Sequence, residues 1–284
     1  MGLRTSIYTG IMNDIMKKLC NVFILLLMSV VFLQCKSNES QVNKSRKIKG
    51  AFTPTLIVRH SLTEHQFEGK DSLGLVSIEI TGGNLTVPQW AFAIVPTLEQ
   101  VKLAPSVKIL DDNAFFSCKK LKKINLNNVE SIGENCFKFT ALERVELKRT
   151  RTIKDFAFSN CPKLIDVEFA DCLESIGEFG FSGDTAIVAC HVPSGVIGAS
   201  AFMGCSSLKQ ISFGKVSSIG NAAFLDCISL TSVVIPSTMK EIGSEAFIGC
   251  VNLKEVIVNS PNTKIAEDAF AKNVIITLKK FDIQ

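Results

Sequence analysis

Cysteines are the residues in this chain whose type and spacing could do chemistry. Cys205, Cys227 and Cys250 recur at intervals of 22 and 23 residues. If each interval is one turn of a repeating fold, their Cα atoms would lie within disulfide range. Equivalent side chains on stacked turns point in parallel, however, and an unpaired Cys is a common small buried hydrophobe. We therefore predict buried thiols, with a disulfide or a metal site as the alternatives.

Acidic and histidine side chains are the other candidates for chemistry. Glu146 and Glu168 are separated by the same interval, and paired carboxylates can hydrolyse glycosidic bonds. Arg144 is expected beside them on a flat, open sheet, which disfavours catalysis. His60 and His65 do not have the spacing of a zinc site, and the chain lacks the motifs of phosphate-binding loops and nucleophile elbows. The sequence therefore predicts no catalytic residue, no metal and no cofactor.

These residues are positioned by a repeat that contains one phenylalanine every 21 to 23 residues. Its nine copies are Phe92, Phe115, Phe137, Phe158, Phe181, Phe202, Phe224, Phe247 and Phe270. Ala precedes the phenylalanine in seven copies, and an aliphatic residue stands five positions before it in all nine. Periods of about 20 to 50 residues indicate a solenoid, in which each unit packs only against its neighbours. The small residue beside each phenylalanine leaves room for a stack of buried rings.

After each phenylalanine, a leucine-rich run predicts a short strand. The run has the form L-x-x-I-x-L, as in residues 121–126 and 230–235. Its last two apolar positions alternate with other residues, so they point inward from a strand whose remaining side chains face outward. Strands one repeat apart are then parallel neighbours. The pattern predicts one continuous parallel sheet, with Gly214 and Pro236 turning the chain onto an opposite wall.

The repeat resembles the BspA type of leucine-rich repeat. The residues that carry the resemblance are SIGNAAFLDCISLTSVVIP (218–236) and EIGSEAFIGCVNLKEVIV (241–258). It covers roughly residues 75–270 and implies a β-rich, α/β-like solenoid, a parallel-sheet stack of about nine repeats of 21 to 23 residues. Such repeats are common in cell-surface proteins of Bacteroides and Treponema, so the resemblance also implies adhesion to host proteins, other bacteria or matrix.

The repeats define the domain boundaries. Residues 75–284 are the repeat domain, and residues 51–74 are a capping segment in which TPTLIVRH predicts a strand on the first rung. Asp184 replaces the Cys that stands three positions after the phenylalanine in five other copies, so we expect a local bulge there. No comparable cap is recognised after Phe270, which leaves the C-terminal end of the stack open to self-association.

The N-terminal residues have the pattern of an export signal. Lys17 and Lys18 precede an apolar run, residues 22–33, that is shorter than the roughly 20 residues of a membrane span. Residues 1–34 are therefore predicted to be a signal peptide, with Met16 as an alternative start. VFLQC resembles the lipobox of bacterial lipoproteins, in which Cys35 is lipidated, although Gln34 is not the small residue usual there. The alternative is a cleaved signal without lipid, and in either case the polar residues 35–50 are a tether.

The outward residues of the predicted strands form two columns along the sheet. In the first half of the repeats these columns carry charges of both signs, which pair with one another and add little affinity. From Ala189 onward they are nearly uncharged, and such surface favours a partner through desolvation. The predicted partner-binding residues are His191, Gln210, Ser212, Ser232, Val234 and Ile257. For the apolar pair at the end of this set, strand propensity and packing on a second copy are alternatives.

These features predict an exported binding protein, lipid-anchored to the outer membrane, and not an enzyme. A net charge of +4 over 284 residues gives no reason to expect nucleic acid. The expected partner is a protein, and contact with the membrane is through the N-terminal lipid alone. The alternatives are a structural or assembly component of the envelope or of a nutrient-uptake system, and a glycan-binding module. Glycan binding usually needs outward aromatic rings, and Trp90 lies next to the Ala-Phe corner, off the strands.

The lipobox resemblance generates the first prediction. Cys35→Ser should move the protein from the membrane fraction to a soluble fraction, because serine has no thiol to accept the lipid. Fractionation and mass spectrometry of the mature N-terminus measure the effect. Ser37→Ala, two residues further on, is the control and should leave the fractionation unchanged. Unaltered fractionation of Cys35→Ser would contradict lipid anchoring.

Overall fold

The fold is a stack of parallel strands, seen in a computed structural model that describes residues 55–59, 61–69 and 74–279. The predicted signal peptide, Cys35, the tether and His60 lie outside the described residues. Within the described ranges the chain forms strands and turns without a helix. Accordingly, none of these residues belongs to a helix long and apolar enough to cross a membrane.

The described part of the chain contains eighteen strands. In chain order they are β1 (Thr55–Val58), β2 (Ser77–Ile80), β3 (Thr86–Val87), β4 (Gln100–Leu103), β5 (Ile109–Leu110), β6 (Lys123–Ile124), β7 (Ser131–Ile132), β8 (Arg144–Leu147), β9 (Thr152–Ile153), β10 (Asp166–Phe169), β11 (Ser175–Ile176), β12 (Ala189–Ile197), β13 (Gln210–Ile219), β14 (Ser232–Ile235), β15 (Glu241–Ile242), β16 (Glu255–Val258), β17 (Lys264–Ile265) and β18 (Ile275–Leu278). Strands one repeat apart pair in parallel, as the sequence predicts. β1 lies in the segment for which the sequence predicts a strand, and β18 was not recognised from the sequence.

The strands form two walls, so the predicted turn of the chain onto an opposite wall is confirmed. The longer strands lie in a front wall, and the two-residue strands β3, β5, β7, β9, β11, β15 and β17 lie in a back wall. Only β12 and β13 run through the corner from one wall to the other, which joins the two ladders. Gly214 therefore lies inside β13 and does not end a strand. Glycine is needed there because a Cβ would overlap the carbonyl oxygen of Pro193.

The front wall is interrupted once, so the prediction that its strands form one continuous sheet is wrong. β6 pairs with β4 and β8 pairs with β10, but no pairing joins β6 to β8 in the described part of the chain. The interruption lies in the copy around Phe137, which has one residue fewer before Leu142 than the neighbouring copies have before their leucine. We attribute the interruption to this missing residue, because a shift along the strand separates the amide and carbonyl groups of a parallel ladder.

Between the two walls lies a column of ten stacked phenylalanine rings. It contains the nine predicted rings and Phe67 from the N-terminal segment. Adjacent ring centroids lie 4.9 to 5.5 Å apart, with interplanar angles of 1° to 20°. Eight of the predicted rings are fully buried, and Phe270 at the end of the column is 8% exposed. The predicted ring stack is confirmed.

Cysteine thiols connect successive turns of the stack. Five of them, three positions after a core phenylalanine, are Cys118, Cys161, Cys205, Cys227 and Cys250. Each donates to the carbonyl oxygen of the phenylalanine one turn earlier, at 3.0 to 3.2 Å. Burial raises the pKa of the Cys118 thiol to about 12, so it keeps the proton that it donates. The prediction of buried thiols is confirmed for these residues, and the eight cysteines that the structure describes are all unpaired.

Asp184 occupies the cysteine position in the Phe181 copy. It is fully buried, and its Oδ1 accepts the backbone N–H of Cys161 at 2.7 Å, while Oδ2 has no hydrogen-bond partner. Burial raises the pKa of this carboxyl well above its usual range. The expected bulge is absent from this turn, because Phe181 stacks regularly on both neighbouring rings at 5.0 and 5.3 Å. The register irregularity lies instead between Gly195 and Val196 in β12.

The ring column generates a stability prediction. Phe224→Ala should lower the free energy of unfolding by about 3–5 kcal/mol, because it leaves a cavity between fully buried neighbours. Hydrogen exchange of backbone amides should rise first in the adjacent turns, since a solenoid is stabilised by nearest neighbours. Phe270→Ala is the matched control and should cost less, because Phe270 lies at the partly exposed end of the column. A loss below about 1 kcal/mol in urea melts of Phe224→Ala would contradict the buried role.

Asp184 generates a prediction about pH. The folded protein holds the Asp184 proton at pH values where the unfolded chain, with a pKa of about 3.9, has released it. The free energy of unfolding therefore falls as pH rises above that value, by up to about 1.4 kcal/mol per pH unit, until the folded carboxyl ionises. Asp184→Asn does not titrate, so urea melts should show it more stable than the wild type at pH 8. The difference should shrink towards pH 4.

Asp184→Cys is a second variant at the same position, and it restores the residue found in five other copies. It should show the same pH dependence relative to the wild type as Asp184→Asn does. A stability difference that is constant between pH 4 and pH 8 in both variants would show that Asp184 does not titrate differently in the folded and unfolded states.

Candidate functional site

The outward side chains of the front wall fall into two columns, in the order that the sequence predicts. Column A contains Glu79, Lys102, Asn125, Glu146, Glu168, His191, Ser212, Val234, Ile257 and Thr277. Column B contains Ser77, Gln100, Lys123, Arg144, Asp166, Ala189, Gln210, Ser232, Glu255 and Ile275. Both columns cross the interruption between β6 and β8, so their even spacing is lost there.

The N-terminal half of these columns is charged and largely self-paired. Lys102 lies 2.7 Å from Glu79, and Arg144 lies 2.8 Å from Asp166 on the adjacent strand. Lys148 binds Glu146 at 2.8 Å, beside Glu168 in the register. Glu79 is half-buried and the other groups are exposed, and exposed ion pairs contribute at most about 1 kcal/mol each. Residues 74–279 contain no group of His, Cys, Asp and Glu side chains that could hold a metal ion.

The C-terminal half of the columns contains the six residues predicted to bind a partner. Five of them, all but Ile257, are exposed, and Ile257 is half-buried. Val234 is 47% exposed and pairs in register with Ile257, so the predicted apolar pair exists on the surface. His191 Nδ1 lies 2.8 Å from Ser212 Oγ on the next strand, a hydrogen bond that orients the imidazole ring along column A. Rigid strands therefore present these side chains in fixed positions.

A shallow concavity of about 700 Å³ lies across this part of the wall. It is lined by Asp166, Val167, Glu168, Phe169, Ala189, Cys190, His191, Gln210, Ile211, Ser212, Ser232 and Val234. Five of the six predicted residues are thus brought together in one depression. Ile257 lies one strand further along and is outside the lining.

The concavity coincides with an irregular part of the front ladder. β12 and β13 pair with each other along almost their whole length, from Ala189 and Gln210 to Ile197 and Ile219. On its other side, β12 pairs with β10 only at Glu168 and His191. Likewise, β13 pairs with β14 only at Gln210 and Ser232. The concavity therefore lies where the front ladder has the fewest residue pairs between neighbouring strands.

Sequence reasoning missed two parts of this surface. Asp166 and Glu168 form an acidic rim of the concavity, although the sequence grouped them with the self-paired charges. Ile275 and Thr277 of β18 extend both columns beyond Ile257. The run of β-branched residues at 275–277 was a signal for that strand, but it does not follow the leucine spacing of the other copies.

Comparison with known proteins agrees with this architecture. The family model for the BspA type leucine rich repeat region matches residues 60–188 and 151–279, in six copies. No curated protein matches the chain.

Solved structures of bacterial repeat proteins are similar to the chain at low identity. A leucine-rich repeat protein from Bacteroides ovatus is 17% identical, with 79% of this chain and 92% of that chain covered and a TM-score of 0.34. A leucine rich cell surface protein from Faecalibacterium prausnitzii is 19% identical over 73% of this chain and 84% of its own, with a TM-score of 0.29. The leucine rich repeat protein of T. pallidum is 24% identical over 63% and 72%, with a TM-score of 0.31.

The family model covers most of the chain, and its two matched ranges together include the ring column from Phe67 to Phe270. The chain belongs to the family of proteins with BspA type leucine rich repeats.

Proposed function

We propose that this protein is a non-enzymatic surface protein that binds another protein through the concavity of its front wall. The observation that carries the proposal is the character of the lining. Four exposed side chains carry hydrogen-bond donors or acceptors, namely His191, Gln210, Ser212 and Ser232. Val234 is exposed and apolar. Apolar surface surrounded by polar groups is the composition that favours a specific protein contact.

The rigidity and openness of the wall support a large partner in preference to a small molecule. Ligand pockets usually enclose most of a small ligand, whereas this concavity is shallow and lies open along the wall. Side chains on paired strands lose little freedom on binding, so less of the contact energy is spent on ordering them. A solenoid wall also continues on both sides of the concavity, which allows a partner to contact several turns at once.

Anchoring at Cys35 would display this wall outside the cytoplasm. The proposal rests on the apolar run that ends at Cys35 and on the polar residues 35–50, which are long enough to separate a lipid from the folded stack. Membership of the BspA-type family supports a surface protein. The lipid anchor and its outer-membrane location are part of the proposal.

Self-association at the C-terminal end is a second candidate function, favoured by the exposure of β18. Ile276 and Leu278 are 44% and 57% exposed, although their register partners Val256 and Val258 are buried. A second copy packed on this strand would bury both side chains, and a structural or assembly role in the envelope or in a nutrient-uptake system would use the same contact. Glycan binding has less support, because columns A and B contain no Phe, Tyr or Trp.

A double substitution tests the binding surface. Val234→Glu combined with Ile257→Glu should reduce attachment to immobilised matrix proteins, such as fibronectin and laminin, by at least about tenfold, because two carboxylates would have to be desolvated. The melting temperature should stay close to that of the wild type, since Val234 is 47% exposed and Ile257 lies at the surface. Surface plasmon resonance and light scattering measure attachment and oligomer size.

Val251→Glu is the matched control, because Val251 is 65% exposed and lies in a turn away from the front wall. It should leave attachment unchanged. Loss of an oligomer in the double variant, with attachment retained, would assign the surface to a second copy. A wild-type protein that attaches to no protein of the panel would contradict the proposal, and so would a double variant that attaches normally.

A further inference from the structure

Six aromatic side chains lie on the corner outside the core phenylalanine column, one on each of six consecutive turns. This aromatic ridge consists of His65, Trp90, Phe116, Phe139, Phe156 and Phe179. His65 is exposed and the other five are half-buried. The ridge crosses five intervals between turns, or about 24 Å at the usual strand spacing of about 4.8 Å. It lies in the turns, so it is separate from columns A and B.

The ridge is continuous from one end to the other. Successive ring centroids in its first four members, from His65 to Phe139, lie 6.1, 5.8 and 5.9 Å apart. The last two rings, Phe156 and Phe179, stack at 4.8 Å. Between these groups the Lys138 ammonium lies 5.4 Å from the Phe139 ring centroid and 4.4 Å from that of Phe156. A bulky side chain from every turn therefore contributes to one strip of surface.

Five ridge residues have a backbone conformation that disfavours bulky side chains. Their φ angles are 56° for His65, 58° for Trp90, 64° for Phe139, 56° for Phe156 and 55° for Phe179. Left-handed φ is tolerated by Gly and Asn but is strained for Trp and Phe. Local stability alone would place Asn or Gly at these positions.

Nine turns carry two left-handed residues, two positions before and two positions after the core phenylalanine, so this conformation belongs to the turn itself. Outside the ridge these positions are occupied by Asn or Gly in some turns, as at Asn113 and Gly183, and by other residues elsewhere, as at Ala222 and Glu245. The ridge aromatics also lie outside the core column, so they are not needed to fill it.

A column of carboxylates runs beside the ridge. Asp112, Glu134, Asp155 and Glu178 each stand three positions before a core phenylalanine, on four consecutive turns. Lys154 pairs with Asp112 at 3.1 Å and Lys138 lies over the Phe139 and Phe156 rings, so these two cations offset only part of the charge of the four carboxylates. The position of Lys138 shows that the ring faces accommodate an ammonium group. Aromatic rings next to carboxylates match a ligand that is both cationic and apolar.

We propose that the aromatic ridge is a docking surface for a basic segment of another protein, in which Lys or Arg alternates with apolar residues. The cationic groups would pair with the flanking carboxylates, and the apolar residues would cover the exposed ring edges. The proposal does not depend on the function assigned to the front wall.

Other occupants fit the ridge less well. An anionic membrane surface would be repelled by the four carboxylates. A sugar ring stacks on an open aromatic face, whereas His65 with Trp90 and Phe156 with Phe179 are stacked face to face, with interplanar angles of 8° and 3°. A second copy related by a two-fold axis would place its own ridge carboxylates against those of the first copy, and the like charges would repel.

Trp90 is the only tryptophan of the chain and belongs to the ridge, so its fluorescence reports binding there directly. The full-length protein is titrated with a synthetic peptide in which Lys and Leu alternate, and with a matched peptide of Glu and Leu. The Lys-Leu peptide should give a saturable change in Trp90 emission that weakens as salt is added, and the Glu-Leu peptide should give none.

Phe156→Asn combined with Phe179→Asn tests the ridge without removing the reporter. Asn tolerates left-handed φ, so the melting temperature should be unchanged or higher, while the dissociation constant of the Lys-Leu peptide should rise at least about tenfold. Glu134→Gln with Glu178→Gln is a second variant that keeps the ring surface and removes two exposed charges. It should weaken the same peptide. Val251→Glu, in an exposed turn outside both the ridge and the concavity, is the control and should leave the titration unchanged.

Four results would overturn the proposal. Equal binding of the Glu-Leu peptide would show that charge plays no part, and unaltered binding by both double variants would place the peptide elsewhere. A clear fall in the melting temperature of the Asn variant, or its failure to fold, would show that the ridge is a structural element. A change in Trp90 emission with phosphatidylglycerol vesicles, but not with the Lys-Leu peptide, would identify a membrane surface instead.

Discussion

The stacking of one phenylalanine ring per turn is the interaction on which the rest of this structure depends. Because adjacent centroids lie 4.9 to 5.5 Å apart, every turn has to repeat at the spacing of hydrogen-bonded strands. That spacing requires a small residue beside each ring. It also places the cysteine thiol, three positions after a ring, within hydrogen-bond distance of the phenylalanine carbonyl oxygen one turn earlier. The two walls follow, because strands at the same place in consecutive turns are already aligned for parallel pairing. Each turn is therefore stabilised mainly by its two neighbours.

A regular stack makes its departures from regularity easy to locate, and the candidate functional features lie near them. The concavity lies where β12 and β13 keep only single residue pairs with the front-wall strands beside them. Asp184 replaces a thiol by a carboxyl at a site that cannot hydrate it, which makes stability sensitive to pH without disturbing the ring column. Such replacements are tolerated because a solenoid confines the cost of an unfavourable residue to one or two turns.

The two surfaces proposed to bind partners differ in physical character. The front-wall concavity is nearly uncharged apart from its acidic rim, and its side chains project from paired strands without strain. The aromatic ridge lies on turns, carries strained backbone at Trp90, Phe156 and Phe179, and is flanked by carboxylates. Desolvation of apolar and polar groups would dominate binding at the first surface, so salt should have little effect there. Binding to the ridge would depend on charge as well, which distinguishes the two sites experimentally.

The sequence by itself determined the period, the ring column, the burial of the cysteines and the two outward columns. Each of these depends on residues that recur at fixed intervals, and a one-dimensional pattern reports such recurrence directly. Only the tertiary structure decided that the front ladder breaks after β6, that β12 and β13 run through the corner into the back wall, that β18 continues the front ladder and that the concavity excludes Ile257. Those features depend on how each strand meets its neighbours laterally, and no residue pattern along one strand specifies that contact. The ridge was hidden for a related reason: Trp90, Phe116 and Phe139 stand at different positions within their repeats, and only the turn geometry projects them onto one line.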